Sequence, residues 1–334
     1  MTTPALSFEG PLDPRSFRGR TSILNQIFSR LRSQELLSSS IVGVPLTGKT
    51  SLLRYFASPQ ASQHCPQTLR VYVDAEPLGG SAQSTDFWIS VFRSIGKLQL
   101  SVNLAQILAE ALARAKANTL DLYDLEDLFD AFAESKTPVA IAIDNFQILL
   151  NNNNFWPPGS DFFHVARSLA QRLPHGVAYV TTTTRPLLDL WDPTRNASPY
   201  YNIFANILVA RMDQADVKAI VEMQCAIAGV ACNNSLVDLV AAASDQHPYL
   251  VGRVAQHLVN RMAEQKPADV DCLAALVNDP NGPYVTLTRQ IRVSLAPWER
   301  QLLDALRDQQ LSVANRDILA RLRDYGLLPP GTEI

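Results

Sequence analysis

Gly43-Val44-Pro45-Leu46-Thr47-Gly48-Lys49-Thr50 matches the pattern G-x-x-x-x-G-K-[ST] at every fixed position. Each fixed residue has a physical task toward a polyphosphate. Gly43 and Gly48 let the loop fold back so that successive backbone N–H groups converge on phosphate oxygens. Lys49 adds a point charge for the β- and γ-phosphates, and Thr50 offers a hydroxyl to Mg²⁺. Such a loop must run from a strand into a helix, whose positive end then faces the phosphates. Ser39-Ser40-Ile41-Val42 reads as the short buried strand before it, and Lys49-Thr50-Ser51-Leu52-Leu53-Arg54-Tyr55-Phe56 as the first turns of the helix.

Asp144 is the expected second half of the site. It closes the apolar run Val139-Ala140-Ile141-Ala142-Ile143, and a carboxylate at that strand end reaches Mg²⁺ through water beside the hydroxyl of Thr50. Many ATPases place Glu directly after this Asp to polarise the attacking water; here the residue is Asn145. An amide orients water but cannot accept its proton. General-base catalysis is worth roughly 10²–10⁴ in rate, so hydrolysis is expected to be slow or absent. Asp74 and Glu76 are weak substitutes. Thr183, Thr184 and Arg185 follow another strand, where a hydroxyl or guanidinium could sense a γ-phosphate, although a threonine run is also ordinary strand chemistry. No Asn-Lys-x-Asp stands near a strand end, so adenine rather than guanine is the expected base.

The elements that must hold these residues are legible in outline. An N-terminal arm over 1–16 precedes an amphipathic helix with Ile23, Leu24, Ile27, Phe28 and Leu31 on one face. Strands are expected at 39–42, 69–74, 139–144, 177–182 and 205–210, with three helical stretches over 84–135 and a helix near 160–173. The run 139–144 is apolar throughout, as a parallel strand covered on both faces should be. Strands alternating with helices, the phosphate-binding loop after the first, predict a doubly wound α/β P-loop domain over 17–212 with helices on both faces of a parallel sheet. Strand patterns then stop. Helices at 213–229, 234–243 and 247–264 predict a helical lid over 213–282, with Asp213 capping the first and Asn234 or Ser235 the second. A third, winged-helix-like unit is expected over 283–334, lined by Trp298, Leu302, Leu303, Leu306, Ile318, Leu319, Leu322 and Leu327.

Composition narrows the function classes. The chain has 334 residues, 47% hydrophobic and 18% charged, with a formal net charge of −3. It can bury a real core, and it lacks a broad electrostatic pull toward nucleic acid or anionic membrane. No apolar run is long enough for a membrane span, and the first residues lack the charged and apolar regions of a secretory signal, so a cytoplasmic location is expected. Cys65, Cys225, Cys232 and Cys272 are scattered without a C-x-x-C and read as small buried apolar residues. Asn151 to Asn154 reads as a solvated loop.

Several segments occur together in one order: Phe17-Arg18-Gly19-Arg20, the P-loop continuing into Ser51-Leu52-Leu53, Ile143-Asp144-Asn145-Phe146, Ser198-Pro199-Tyr200-Tyr201-Asn202 and Gln246-His247-Pro248-Tyr249-Leu250. With them the chain, from about 14 to 328, resembles the STAND (signal-transduction NTPase) branch of AAA-like ATPases. The resemblance implies that Phe17, Gly19 and Arg20 belong to a segment closing over adenine. It implies that His247-Pro248 is a lid motif, with Pro packing on the base and a nearby polar group meeting the β-phosphate. His247-Pro248 also reads simply as a helix start, Pro being favoured in the first turn. Thr21 and Asn145 depart from the family, which usually has an acid at each position; the second departure bears on turnover rather than binding.

The resemblance further implies a switch. ADP bridges the P-loop domain and the lid, and exchange for ATP releases an assembly surface, because one ligand touching two arrangements shifts their balance by its differential affinity. An effector or sensor is expected from protein partners, unless the chain is a piece of a longer one, and a homo-oligomer on activation. Two other readings stay open. One is a DNA-handling AAA ATPase of the origin or transposition kind, for which Arg289, Arg292, Arg300, Arg307, Arg316, Arg321 and Arg323 are nearly balanced by Glu299, Asp304, Asp308, Asp317 and Asp324, a weak footprint for nucleic acid. The other is a scaffold that binds ATP without turning it over.

Overall fold

The computed structural model describes residues 10–33, 35–156, 162–172, 176–192, 194, 199–297 and 299–301. These fall into two compact units: one takes the chain up to Arg20, Gly43–Lys49 and everything from Leu208 onward, the other Thr21–Val42 and Thr50–Ile207.

The second unit is the α/β layer. In chain order it contains α1 (Thr21–Leu31), β1 (Ser38–Val42), α2 (Lys49–Ala57, entering from the P-loop), β2 (Leu69–Asp74), α3 (Ser84–Ile95), α4 (Val102–Lys116), α5 (Leu122–Glu134), β3 (Val139–Asp144), α6 (Gln147–Asn151), α7 (Phe162–Arg172), β4 (Val177–Thr183), α8 (Leu187–Leu190) and β5 (Phe204–Leu208). The strands form one sheet in the order β2-β3-β4-β1-β5, and the β1–β4, β2–β3 and β3–β4 pairings are parallel. Every residue of β1, β3 and β4 is buried. Full burial along a strand requires cover on both faces, the condition the apolar run 139–144 announces. After β1 the chain crosses to the β2 edge, returns through β3 and β4, and ends beyond β1 at β5. That reversal makes β1 a topological switch point, and the carboxyl ends of strands at such a point are where open α/β sheets take ligands.

The core of this unit is rich in rings. Phe146, which follows the Asp-Asn pair, stacks on Tyr200 at 5.8 Å between centroids, and Tyr200 also meets Phe163, Trp191 and Phe204. Tyr200 of the Ser-Pro-Tyr-Tyr-Asn segment is thus a fully buried packing residue. Two expectations change here. The fifth strand runs over 204–208 rather than 205–210. The Asn tract is solvated only in part: Asn151 and Asn153 are exposed, but Asn152 is buried and its amide donates to the carbonyls of Leu78 (2.9 Å) and Ala82 (3.0 Å), tying the turn after α6 to the segment after β2.

The first unit is helical beyond β5: α9 (Gln214–Ala228), α10 (Asn234–Ser244), α11 (Pro248–Ala263), α12 (Val270–Asn278) and α13 (Pro283–Ser294). A separate apolar cluster joins α9, α10 and α11 through Val217, Val221, Val240, Val254 and Leu258. Asp213 caps α9 through the Asp216 N–H, as expected. The cap of α10 is Asn233, one or two positions earlier than Asn234 or Ser235, because its Oδ1 reaches the Leu236 N–H at 2.8 Å. The N-terminal arm contributes a short 3₁₀ turn, Pro14–Ser16, capped by Asp13, and Leu12 packs on the helical cluster. Cys65 and Cys225 are buried as expected, but Cys232 is exposed and Cys272 partly so. Trp298 and the apolar positions from Leu302 onward, on which the winged-helix expectation rests, lie outside the described residues.

Candidate functional site

The loop between β1 and α2 has the backbone that its glycines allow. Gly48 sits at φ +85°, in the left-handed region that favours glycine. Gly43 is needed for space instead: a Cβ there would lie 2.8 Å from the Val209 carbonyl oxygen and 2.9 Å from Thr47 Oγ1. Leu46 is also left-handed, at φ +65°. Thr47 is buried and donates to the Val44 carbonyl (2.9 Å). Lys49 Nζ donates to the carbonyls of Gly43 (2.7 Å) and Val44 (2.8 Å), which holds the ammonium over the loop. Val44 is buried, Pro45 half-buried and Leu46 exposed.

Arg20 ties this loop to the start of the helical segment. Its guanidinium donates to the carbonyls of Thr47 (3.3 Å), Ala210 (2.7 Å) and Arg211 (3.0 Å). Its backbone N–H donates to Asp216 Oδ2 at 2.8 Å, and Arg20 itself is left-handed, at φ +59°. Burial lowers the guanidinium to about 10, against the pull of Asp216 and Asp213. Burial raises the Asp216 carboxyl, with the Arg20 N–H working the other way. Gly19, at φ +80°, leaves no room for a side chain, since a Cβ would stand 2.8 Å from Asp216 Oδ1. Phe17 is buried.

His247 faces the same loop residues. It precedes Pro248, the first residue of α11, so the helix-start reading is correct as far as it goes. The turn that delivers it is costly: Asp245 and Gln246 are both left-handed (φ +48° and +54°). It is held by the Gln246 carbonyl accepting from Met212 N (2.9 Å) and by the Arg211–Asp245 ion pair. Both imidazole nitrogens are buried without a hydrogen-bond partner. Burial pushes the ring down to about 4, and Arg20, Arg211 and Lys49 push the same way. A neutral imidazole amid three cations, with its own donor and acceptor unmet, is a donor set that an anion would complete. The residues present therefore fit a phosphate group.

In the α/β unit, Asp144 is buried at the end of β3. Its two oxygens accept from the Tyr72 hydroxyl (2.9 Å) and from Thr182 Oγ1 (2.5 Å). Burial holds the Tyr72 hydroxyl protonated well past the ordinary tyrosine range, so it donates. The Arg54 guanidinium stands over the Tyr72 ring, 5.5 Å from its centre. Thr182 Oγ1 also accepts from the Asn145 N–H (2.9 Å), and Asn145 is left-handed, at φ +56°. Thr50 and Ser51 open α2, and Thr184 and Arg185 follow β4, all partly or wholly buried.

The structure thus gathers Gly19, Arg20, Gly43, Thr47, Lys49 and His247 in one unit, and Asp144 with Asn145 in the other. Sequence reasoning missed Asp216 and Arg211 in the first, and Tyr72, Arg54 and Thr182 in the second. The available signals were slight: a polar Tyr72 inside the apolar strand Leu69–Asp74, and an acid three positions after the capping Asp213.

Comparison with known proteins follows this geometry. Residues 104–266 match the family described as novel STAND NTPase 2. A search of curated proteins by sequence finds no match. Among solved structures the fold is similar to the Walker-type ATPase paby2304 of Pyrococcus abyssi, with 14% identity, a TM-score of 0.56, and 92% of this chain and 90% of that chain covered. It is similar also to the Aeropyrum pernix ORC2 protein in its ADPNP–ADP complexes, with 14% identity, a TM-score of 0.56, and 97% and 85% covered. At that identity the likeness is one of fold. The family match spans just under half of the chain and follows a complete P-loop motif, so the chain is similar to P-loop NTPases of the STAND kind.

Proposed function

We propose that this chain is a regulatory switch that binds ATP or ADP and controls assembly of a multiprotein complex in bacterial defence or signalling, with slow or absent hydrolysis. The observation that carries the reading is His247, half-buried and neutral, its two ring nitrogens enclosed and unpartnered, beside Arg20, Arg211 and Lys49. A diphosphate placed on the 43–50 loop would supply the missing acceptor for the ring N–H of His247. In this reading Phe17 and Pro248 flank the base, and Val44 to Ser51 provide backbone and hydroxyl contacts to the phosphates. Thr50 and Asp144 hold Mg²⁺ together with phosphate oxygens and water, few protein ligands being usual for this ion. Thr184 and Arg185 read the γ-phosphate. The archaeal ORC2 neighbour is seen with ADPNP and ADP, and we carry the adenine class over from it.

Slow turnover rests on Asn145, whose left-handed backbone and N–H bond to Thr182 hold an amide where a proton acceptor is wanted. The switch itself rests on Arg20, which bonds both the loop, at Thr47, and the segment leading into α9, at Ala210, Arg211 and Asp216. Protein partners and a homo-oligomer are the proposed readers of its state. The test is calorimetric titration of ADP and ATP into the nucleotide-stripped protein, followed by measurement of assembly size with each. Tight binding of both, phosphate release slower than about 1 per second, and a nucleotide-dependent change in size support the proposal. Binding of neither nucleotide refutes it, and salt-dependent binding to duplex DNA without any change in assembly would favour the DNA-handling reading.

A further inference from the structure

Four elements of the α/β unit, α2, β2, β3 and β4, converge on the carboxylate at the end of β3. Asp144 is buried, and the chain around it is pinned on both sides. Its carbonyl accepts from the Ala75 N–H (3.0 Å), and the Phe146 N–H donates to the Thr182 carbonyl (2.9 Å). The side chain is then oriented by two hydroxyls, one from each neighbouring strand. Tyr72 of β2 donates to Oδ2 (2.9 Å) and Thr182 of β4 to Oδ1 (2.5 Å). Among the described residues no cation is in ion-pair contact with Asp144. A buried carboxylate whose side-chain partners are two hydroxyls is a donor set that a hard cation completes. Each oxygen uses one lone pair and keeps another for the ion or its water. The Tyr72 ring is itself held by α2. The Arg54 guanidinium stands over it at 5.5 Å, one helical turn beyond Thr50 and therefore on the same face of α2.

We propose that Tyr72 is a positioning residue of the magnesium site: its hydroxyl fixes Asp144 Oδ2, as Thr182 fixes Oδ1, leaving the other lone pairs of both oxygens pre-set for the ion or its water. This rests on the reading that Thr50 and Asp144 hold Mg²⁺ with a bound nucleotide. Mg²⁺ demands near-octahedral geometry and gives up its waters reluctantly, so a carboxylate that meets it must present its oxygens at fixed angles. The torsions of a loose Asp144 would have to be stilled when the ion binds, and fixing them beforehand removes that entropy from the binding step. The cation over the Tyr72 ring serves the same end by holding the phenol in place. Thr182 also accepts from the Asn145 N–H (2.9 Å), so the same clamp reaches the residue that stands where a proton acceptor is wanted.

The test uses the full chain, freed of nucleotide and reloaded with an equimolar amount of ADP. Mn²⁺, which takes the same oxygen ligands as Mg²⁺, is titrated into this complex and the free ion read by electron paramagnetic resonance. ADP affinity in EDTA is measured alongside. Tyr72→Phe keeps the ring under Arg54 and removes the hydroxyl alone. It should weaken Mn²⁺ binding by about 10-fold or more, the usual loss when a group that orients a metal ligand is removed, while ADP affinity in EDTA and the circular dichroism spectrum stay as in wild type. A merely structural Tyr72 would lower stability and leave this split between metal and nucleotide unmoved. Arg54→Gln, which loosens the ring but keeps the hydroxyl, should weaken Mn²⁺ binding by a smaller factor; it decides the matter if Tyr72→Phe does not fold, unchanged Mn²⁺ binding then overturning the proposal. If Asp144→Asn binds Mn²⁺ more weakly than wild type but Tyr72→Phe does not, the inference is wrong and the magnesium reading stands. If Asp144→Asn holds Mn²⁺ as tightly as wild type, or wild type takes up no ADP, the reading of the site falls and this inference with it.

Discussion

At the scale of single residues, the groups that a local pattern can specify were readable and the groups that a distant partner specifies were not. Gly43, Gly48, Lys49 and Thr50 announce themselves because their spacing is the mechanism. Asp216 and Thr182 do not, because they meet Arg20 and Asp144 across 196 and 38 positions of sequence. These distant partners make the sharper predictions. Gly19→Ala should destabilise the protein by roughly 2 kcal/mol, since it adds a Cβ 2.8 Å from Asp216 Oδ1 at a left-handed position; chemical denaturation measures this, and a loss below a few tenths would show that the arm is loosely seated. Asn145→Glu should raise ATP turnover while lowering stability by about 1 kcal/mol, because Asn tolerates the left-handed region better than Glu does. Phosphate release and a melting curve on one preparation separate the two effects. Unchanged turnover would mean that the missing acid is not what limits hydrolysis.

At the scale of elements, four of the five strands and most helices were legible from apolar runs and 3.6-residue periodicity, while their ends were set by contacts that periodicity does not carry. Asn233 rather than Asn234 caps α10 because it is the side chain whose oxygen meets the Leu236 N–H. Asn152 left the expected solvated loop because two carbonyls, Leu78 and Ala82, needed a donor. The turn before α11 is the element with the clearest pH signature. His247 protonates near 6.5 in the unfolded chain but only at about 4 in the folded one. Between those values the unfolded state binds more protons, so this stability is full above pH 6.5 and is lost as pH falls toward 4, by at most about 3 kcal/mol. The raised carboxyl of Asp216 acts in the opposite sense on acidification, so the informative quantity is the difference from His247→Gln. Denaturation midpoints from pH 7 to 5 should fall more steeply for wild type than for that variant. Parallel curves would show that the ring is solvated.

At the scale of the whole molecule, the parallel sheet was legible from alternating strands and helices with a P-loop after the first strand, whereas the strand order that makes β1 the switch point came from the structure. The partition into units was less so. Residues up to Arg20, the loop Gly43–Lys49 and the helices beyond Leu208 form one compact unit, a grouping that no run of sequence displays because its three pieces are separated along the chain. Its members Arg20, Lys49, Arg211 and His247 place three cations around one unpartnered imidazole. Equilibrium titration of ADP into wild type, Lys49→Ala and His247→Ala, each confirmed folded by circular dichroism, tests whether that cluster is a phosphate site. Wild type should bind at about micromolar affinity or tighter, Lys49→Ala roughly 100-fold more weakly, and His247→Ala about 10-fold more weakly. Equal affinity of all three proteins for ADP would contradict a nucleotide site built from these residues.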